Sequence, residues 1–67
     1  MSPKRLGRML KTLREQKGLS QRALAQKAQT TGAYVAQLET GARKNPSITL
    51  LQRLAKALGV PMTELLR

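Results

Sequence analysis

Sixty-seven residues make one domain at most, and a chain this short buries only about 60% of the surface its unfolded form exposes, so its core must be economical. Thirteen Lys and Arg stand against three acids, all Glu, for a formal net charge of +10; this excess disfavours compactness and points to a polyanionic partner, nucleic acid or an anionic membrane. With no Cys and no His, neither a zinc site nor a disulfide framework is available, and no apolar run approaches the roughly 20 residues of a membrane span.

The first predicted helix covers about residues 3–17. Ser2 caps it, Pro3 takes the first helical position where its missing N–H costs nothing, and Gly18 closes it. Leu6, Met9, Leu10 and Leu13 recur along it at three- and four-residue spacing. Gly7 lies inside this pattern; it weakens the helix by roughly 1 kcal/mol relative to Ala and marks either a close packing contact or nothing. Ser20 caps a second helix (20–28) with Leu24, Ala25 and Ala28 on one face, and a break follows at Gln29-Thr30. Thr31 caps a third helix (31–40) with Val35 and Leu38 inward and Gly41 at its end. Residues 42–46, Ala-Arg-Lys-Asn-Pro, read as a basic loop.

Ser47 caps a fourth helix (47–58), on which Leu50, Leu51, Leu54, Ala55 and Leu58 form a stripe ended by Gly59. Val60-Pro61 opens a last short helix (61–66) with Met62, Leu65 and Leu66. Nearly all apolar content is Leu and Ala, strong helix formers, and Tyr34 is the only aromatic. The expectation is an all-α, compact five-helix bundle in one domain over 1–67, with the second and third helices as a central helix-turn-helix. The termini run almost directly into predicted structure, so no tail for a second function is expected.

Catalysis finds little support. General acid–base work needs a His or a tuned carboxylate pair, and only Glu15, Glu39 and Glu64 are present. Ser2, Ser20 and Ser47 each precede a helical pattern, which makes them caps before nucleophiles. The basic N-terminus lacks the apolar stretch of a secretory signal. A soluble cytoplasmic protein, with no cofactor, metal or small-molecule substrate, is expected.

One stretch is specific. Leu19-Ser20-Gln21, Leu24-Ala25-Gln26-Lys27, Thr30-Thr31, Gln37-Leu38-Glu39, Gly41, Pro46-Ser47 and Leu54-Ala55-Lys56-Ala57-Leu58-Gly59-Val60 stand at matching spacing across residues 6–66. In these residues the chain resembles the repressor and Cro-like helix-turn-helix domains of the XRE family, in particular the amino-terminal domains of lambdoid phage repressors. The resemblance implies sequence-specific binding of double-stranded DNA, with the third helix in the major groove of a bacterial or phage operator.

On that resemblance, Gln21 bonds a phosphate and Gln37 reads a base, since an amide can both donate to and accept from adenine. The base-reading set is Thr31, Gly32, Ala33, Tyr34 and Gln37. Phosphate contacts fall to Ser20, Gln21, Arg22, Thr40, Arg43, Lys44 and Asn45, with Arg43 also suited to a narrow minor groove. Tyr34 either meets DNA or leans on the second helix. Arg14 is expected opposite Glu39 in a partly buried ion pair that orients the third helix without touching DNA.

Two departures from the family pattern stand out. Gly32 and Ala33 occupy slots where some relatives carry glutamines, so no relative's target can be transferred. Gln29 replaces a turn glycine where the backbone tends to be left-handed, at a cost of roughly 1 kcal/mol.

Rival readings are a protein-interaction module that kept the fold without DNA binding, and a cationic membrane binder. The absence of any acid from residue 16 to 38 counts against the first, and a core divided among five helices against the second. Relatives of this type usually dimerise near the last helices, where Met62, Leu65 and Leu66 lie. The alternative is a trimmed or engineered domain acting as a monomer.

Overall fold

The computed structural model describes residues 2–67 and contains five helices: α1 (Pro3–Gln16), α2 (Gln21–Ala28), α3 (Gly32–Thr40), α4 (Ile48–Leu58) and α5 (Met62–Leu65). No strand occurs among the described residues. The helix starts follow from hydroxyl caps. Ser2, Ser20, Thr31 and Ser47 each stand in extended conformation and accept a hydrogen bond from the backbone N–H three residues on, at 3.0–3.1 Å. Each cap satisfies a donor that the helix itself leaves orphaned. The caps expected to count inside the helices therefore sit one residue outside α2, α3 and α4.

α5 is shorter than expected, four residues in place of 61–66. Pro61 is its N-cap but offers no side chain to bond the first turn, and Leu66 has already left the helix. α1 stops at Gln16, with Lys17 as its C-cap.

Packing closes the five helices into a ring: α1 against α3, α3 against α2, α2 against α4, α4 against α5, and α5 back onto α1. Leucines fill the centre. Leu10, Leu24, Leu38, Leu54, Leu58 and Leu65 are almost wholly buried, each contributing about 1.5–3 kcal/mol by its removal from water. α3 contributes only Val35 and Leu38 to this core, so its attachment depends on what it touches at its ends.

One such end contact is Gly7. A Cβ there would fall on the carbonyl oxygens of Leu38 and Glu39, with the Glu39 carbonyl carbon only 2.8 Å away. These are backbone atoms and cannot swing aside. The glycine in the first helix thus marks a close packing contact between α1 and the last turn of α3.

The turn between α2 and α3 depends on a second local constraint. Gln29 has φ 60 and ψ 47, in the left-handed region, and the Thr30 N–H reaches back to the Ala25 carbonyl at 2.9 Å. A side chain is present where glycine would be strain-free.

Two expected outcomes follow. Gly7→Ala improves helix propensity by about 1 kcal/mol, yet the clash outweighs this, and urea unfolding will show a net loss of about 2 kcal/mol or more. An unchanged midpoint would mean that α1 and α3 stand further apart. Gln29→Gly relieves the left-handed strain, and thermal melts should show a gain of about 0.5–1 kcal/mol; a loss would show that the turn is held otherwise.

Candidate functional site

The N-terminus of α2 and the C-terminus of α3 meet at one buried carboxylate. Glu39 Oε2 accepts from Arg14 Nε at 2.6 Å, and Oε1 accepts from Arg14 Nη2 at 3.1 Å and from Gln21 Nε2 at 3.0 Å. Arg14 Nη1 donates to the Leu19 carbonyl at 2.7 Å. The Glu39 side chain is 3% exposed and that of Arg14 11%. Glu39 holds the Arg14 guanidinium above its ordinary pKa, chiefly through the hydrogen bond and despite burial, which acts the other way. Arg14 therefore stays charged at any workable pH. The node ties α1, the Leu19 loop, α2 and α3 into fixed relation.

Outward from this node lies the free surface of α3. Ala33, Gln37 and Thr40 follow at four- and three-residue spacing and are exposed, with no partner element over them. Gly32, expected to read bases from this face, is half-buried, as is Ala36. The α-carbon of Gly32 faces α2: a Cβ added there would lie 3.7 Å from the Arg22 Cα. The presented face is thus narrower than the sequence suggested.

Hydroxyl and amide donors flank this face. Ser20 and Thr31 each use an oxygen lone pair to cap a helix, which leaves the O–H free to donate outward. Gln21 spends one N–H on Glu39 and retains a second. The backbone N–H groups of Gln21 and Arg22 open α2 with no acceptor inside the helix, where the dipole favours an anion.

Thr40 differs. Its hydroxyl donates to the Gln37 carbonyl at 3.1 Å, so its single proton is not available to a phosphate. The same hydroxyl oxygen accepts from the Ala42 N–H at 3.4 Å, and the Arg43 N–H joins the Gln37 carbonyl at 3.1 Å. Together these bonds fold the basic loop back along the end of α3.

Tyr34 and Arg43 are brought together by that fold. The Arg43 guanidinium stands 4.8 Å from the centre of the Tyr34 ring, and the ring packs on the edge of the core. A cation over an aromatic face is worth about 0.5–1 kcal/mol when exposed. Neither residue type nor spacing announced this pair, which depends on the course of the loop. Lys44 and Asn45 are exposed beside it, Asn45 with a left-handed φ of 55.

Among the described residues no group of three or more His, Cys, Asp or Glu is placed to hold a metal, and no helix is long and apolar enough to cross a membrane.

Comparison with known proteins places this geometry. A family model described as helix-turn-helix matches residues 10–65. The immunity repressor protein of Bacillus phage phi105 is 36% identical over 58 residues, 87% of this chain and 40% of the repressor. The HTH-type transcriptional regulator SinR of Bacillus subtilis is 34% identical over 61 residues, 91% of this chain and 55% of the regulator. The chain thus spans about half the length of these relatives or less. A crystal structure of SinR, the master regulator for biofilm formation, in complex with DNA superposes with a TM-score of 0.88 at 34% identity, covering 92% of this chain and 98% of that one. The restriction-modification controller protein C.AhdI from Aeromonas hydrophila superposes with a TM-score of 0.90 at 38% identity, covering 94% of each chain.

The buried node carries the sharpest structural expectation. Glu39→Gln keeps the shape but leaves Arg14 as an unpaired buried charge, and should cost about 3 kcal/mol, lowering the melting midpoint by more than about 10 °C. Glu64→Gln, which breaks the exposed Arg67 pair at 3.3 Å, should cost under about 1 kcal/mol. Equal effects of the two variants would remove the orienting role assigned to Glu39.

Proposed function

As the chain belongs to the helix-turn-helix family, we propose that it is the DNA-binding part of a transcriptional regulator, reading double-stranded DNA with the exposed face of α3. The observation that carries this reading is the uncovered Ala33–Gln37 face of α3, flanked by the free donors at the start of α2 and by the basic loop after α3. A relative at 34% identity crystallised in complex with DNA supports it. That relatives are named transcriptional regulators and a repressor supports a non-catalytic role.

The mechanism has three parts. The net charge of +10 draws the protein to DNA and releases condensed counterions. Ser20, Gln21 and Arg22 at the start of α2, with Arg43, Lys44 and Asn45 in the loop, then hold phosphates and set the register of α3. Gln37 reads a base edge through its amide, while Ala33 offers an apolar contact to a thymine methyl. Thr31 and Tyr34 border this face. Tyr34 acts through its stack with Arg43, which fixes where that cation meets the backbone. Gly32, turned toward Arg22, faces α2 and adds no readout of its own.

Protomer number follows from the target. Leu65 is spent on the core and Met62 packs against it, which leaves Leu66 as the exposed apolar residue at that end. Selection of preferred sites from random DNA separates the cases: one half-site indicates a monomer, a palindrome a homodimer.

Once a site is selected, Gln37→Ala should lose about 1–3 kcal/mol of discrimination at one base pair, with little change in melting temperature. Lys44→Gln should weaken binding to all sequences alike and lower the slope of log affinity against log salt by about 1. Affinity that ignores salt, or equal affinity for every sequence, would defeat the proposal.

A further inference from the structure

The cations are not gathered on the α3 side. Of the thirteen Lys and Arg, Arg14 pairs with Glu39 and Arg67 with Glu64, while Arg22, Arg43 and Lys44 border the α3 face. Lys27, Arg53 and Lys56 converge elsewhere, on a cleft of about 250 Å3 between the C-terminal halves of α2 and α4, completed by Gln29 and Ala57. None of the three takes part in an ion pair among the described residues.

This cleft lies on the other flank of α2. α2 is packed between α3 and α4. Arg22 borders α3, its backbone lying under Gly32. Lys27 is five residues further on, about 140° round the helix axis, on the α4 flank. Lys27 and Lys56 stand in the last turns of their helices, where the dipole favours cations. Arg53 is in the middle of α4 and has no such reason; with it, two helix-end charges become a three-cation cleft.

The form of the cleft decides between ligands. Its three cations are exposed, no buried polar side chain lines it, and its volume is below the roughly 300–1,000 Å3 of sites that enclose small molecules. Such a surface acts by attraction on a polymer of phosphates that passes over it. We propose that the Lys27–Arg53–Lys56 cleft binds the phosphate backbone of a second DNA duplex, so that one molecule bridges two duplexes, one read by α3 and one held without regard to sequence. The inference rests on the DNA-reading function proposed above.

The test mixes a donor-labelled duplex carrying the selected site with an acceptor-labelled duplex lacking it, and adds the full chain at low salt. Energy transfer should rise with protein and vanish as salt screens the cleft. The triple variant Lys27→Gln, Arg53→Gln, Lys56→Gln should lose bridging by about tenfold or more, while its affinity for the site duplex alone, read by anisotropy at about 0.15 M salt where charges more than about 8 Å from that duplex are screened, changes by less than about threefold. No binding to any duplex would overturn the DNA reading and this inference together. Binding of one duplex without transfer, or transfer that survives the triple variant, would overturn the cleft assignment alone. Tight binding of inorganic pyrophosphate, seen as NMR shifts confined to these three residues without bridging, would reassign the cleft to small phosphate compounds and overturn the duplex as its occupant.

Discussion

A single buried carboxylate holds the exposed face of α3 in place. Glu39 comes from the last turn of α3, is almost fully out of water, and is matched by a two-pronged guanidinium and an amide. Removing an ion pair from water costs about as much as the pair returns, so this contact adds little net stability. Its effect is on geometry. A carboxylate without Arg14 would be an uncompensated buried charge, so every arrangement of α1, α2 and α3 that separates the two is heavily penalised. Gln21 shares the same carboxylate, and the node thereby couples the end of α3 to the start of α2, where the proposed phosphate donors stand.

α1 grips that last turn twice. Gly7 lets the backbone of α1 meet the Leu38 and Glu39 carbonyls, and Arg14, seven residues or about two turns further along the same side, meets the Glu39 side chain. The close approach fixes distance; the ion pair fixes rotation and register. A core built almost wholly from leucine is non-directional and would supply neither. With only Val35 and Leu38 inward, α3 needs both contacts to present a defined face.

Much of the fold was legible because its signals are local. A hydroxyl before an apolar stripe, a proline in the first turn and a glycine after the last leucine each act within four residues, and the four hydroxyl caps stand where those rules put them. The left-handed backbone of Gln29 was legible only through the family resemblance, which sets a glycine in this turn. What stayed hidden depends on distance in the chain. Gly7 has one meaning in a lone helix and the opposite one against a carbonyl of α3. The stack of Arg43 on Tyr34, the turn of Gly32 toward Arg22 and the spent proton of Thr40 all require the path of the chain around the end of α3. Residue type names candidate donors, and only the hydrogen bonds say which protons are left to give.

Those remaining protons bear on how selective the DNA reading proposed for α3 is. The outer face of α3 presents one amide, Gln37, beside the methyl of Ala33, so a half-site offers few direct hydrogen bonds to bases. Discrimination at one bidentate contact amounts to about 1–3 kcal/mol, short of the 4–10 kcal/mol that separates specific from non-specific binding in regulators of known target. The shortfall must come from groups that do not read letters. On the proposed function, Arg43, held in a defined place by Tyr34, is suited to sense groove width, and the proposed phosphate donors, rigidly spaced by the Glu39 node, penalise any duplex that cannot adopt their spacing. On that proposal rigidity is a source of specificity: the less the bases are touched, the more the answer depends on how firmly α2, α3 and the basic loop are held relative to one another.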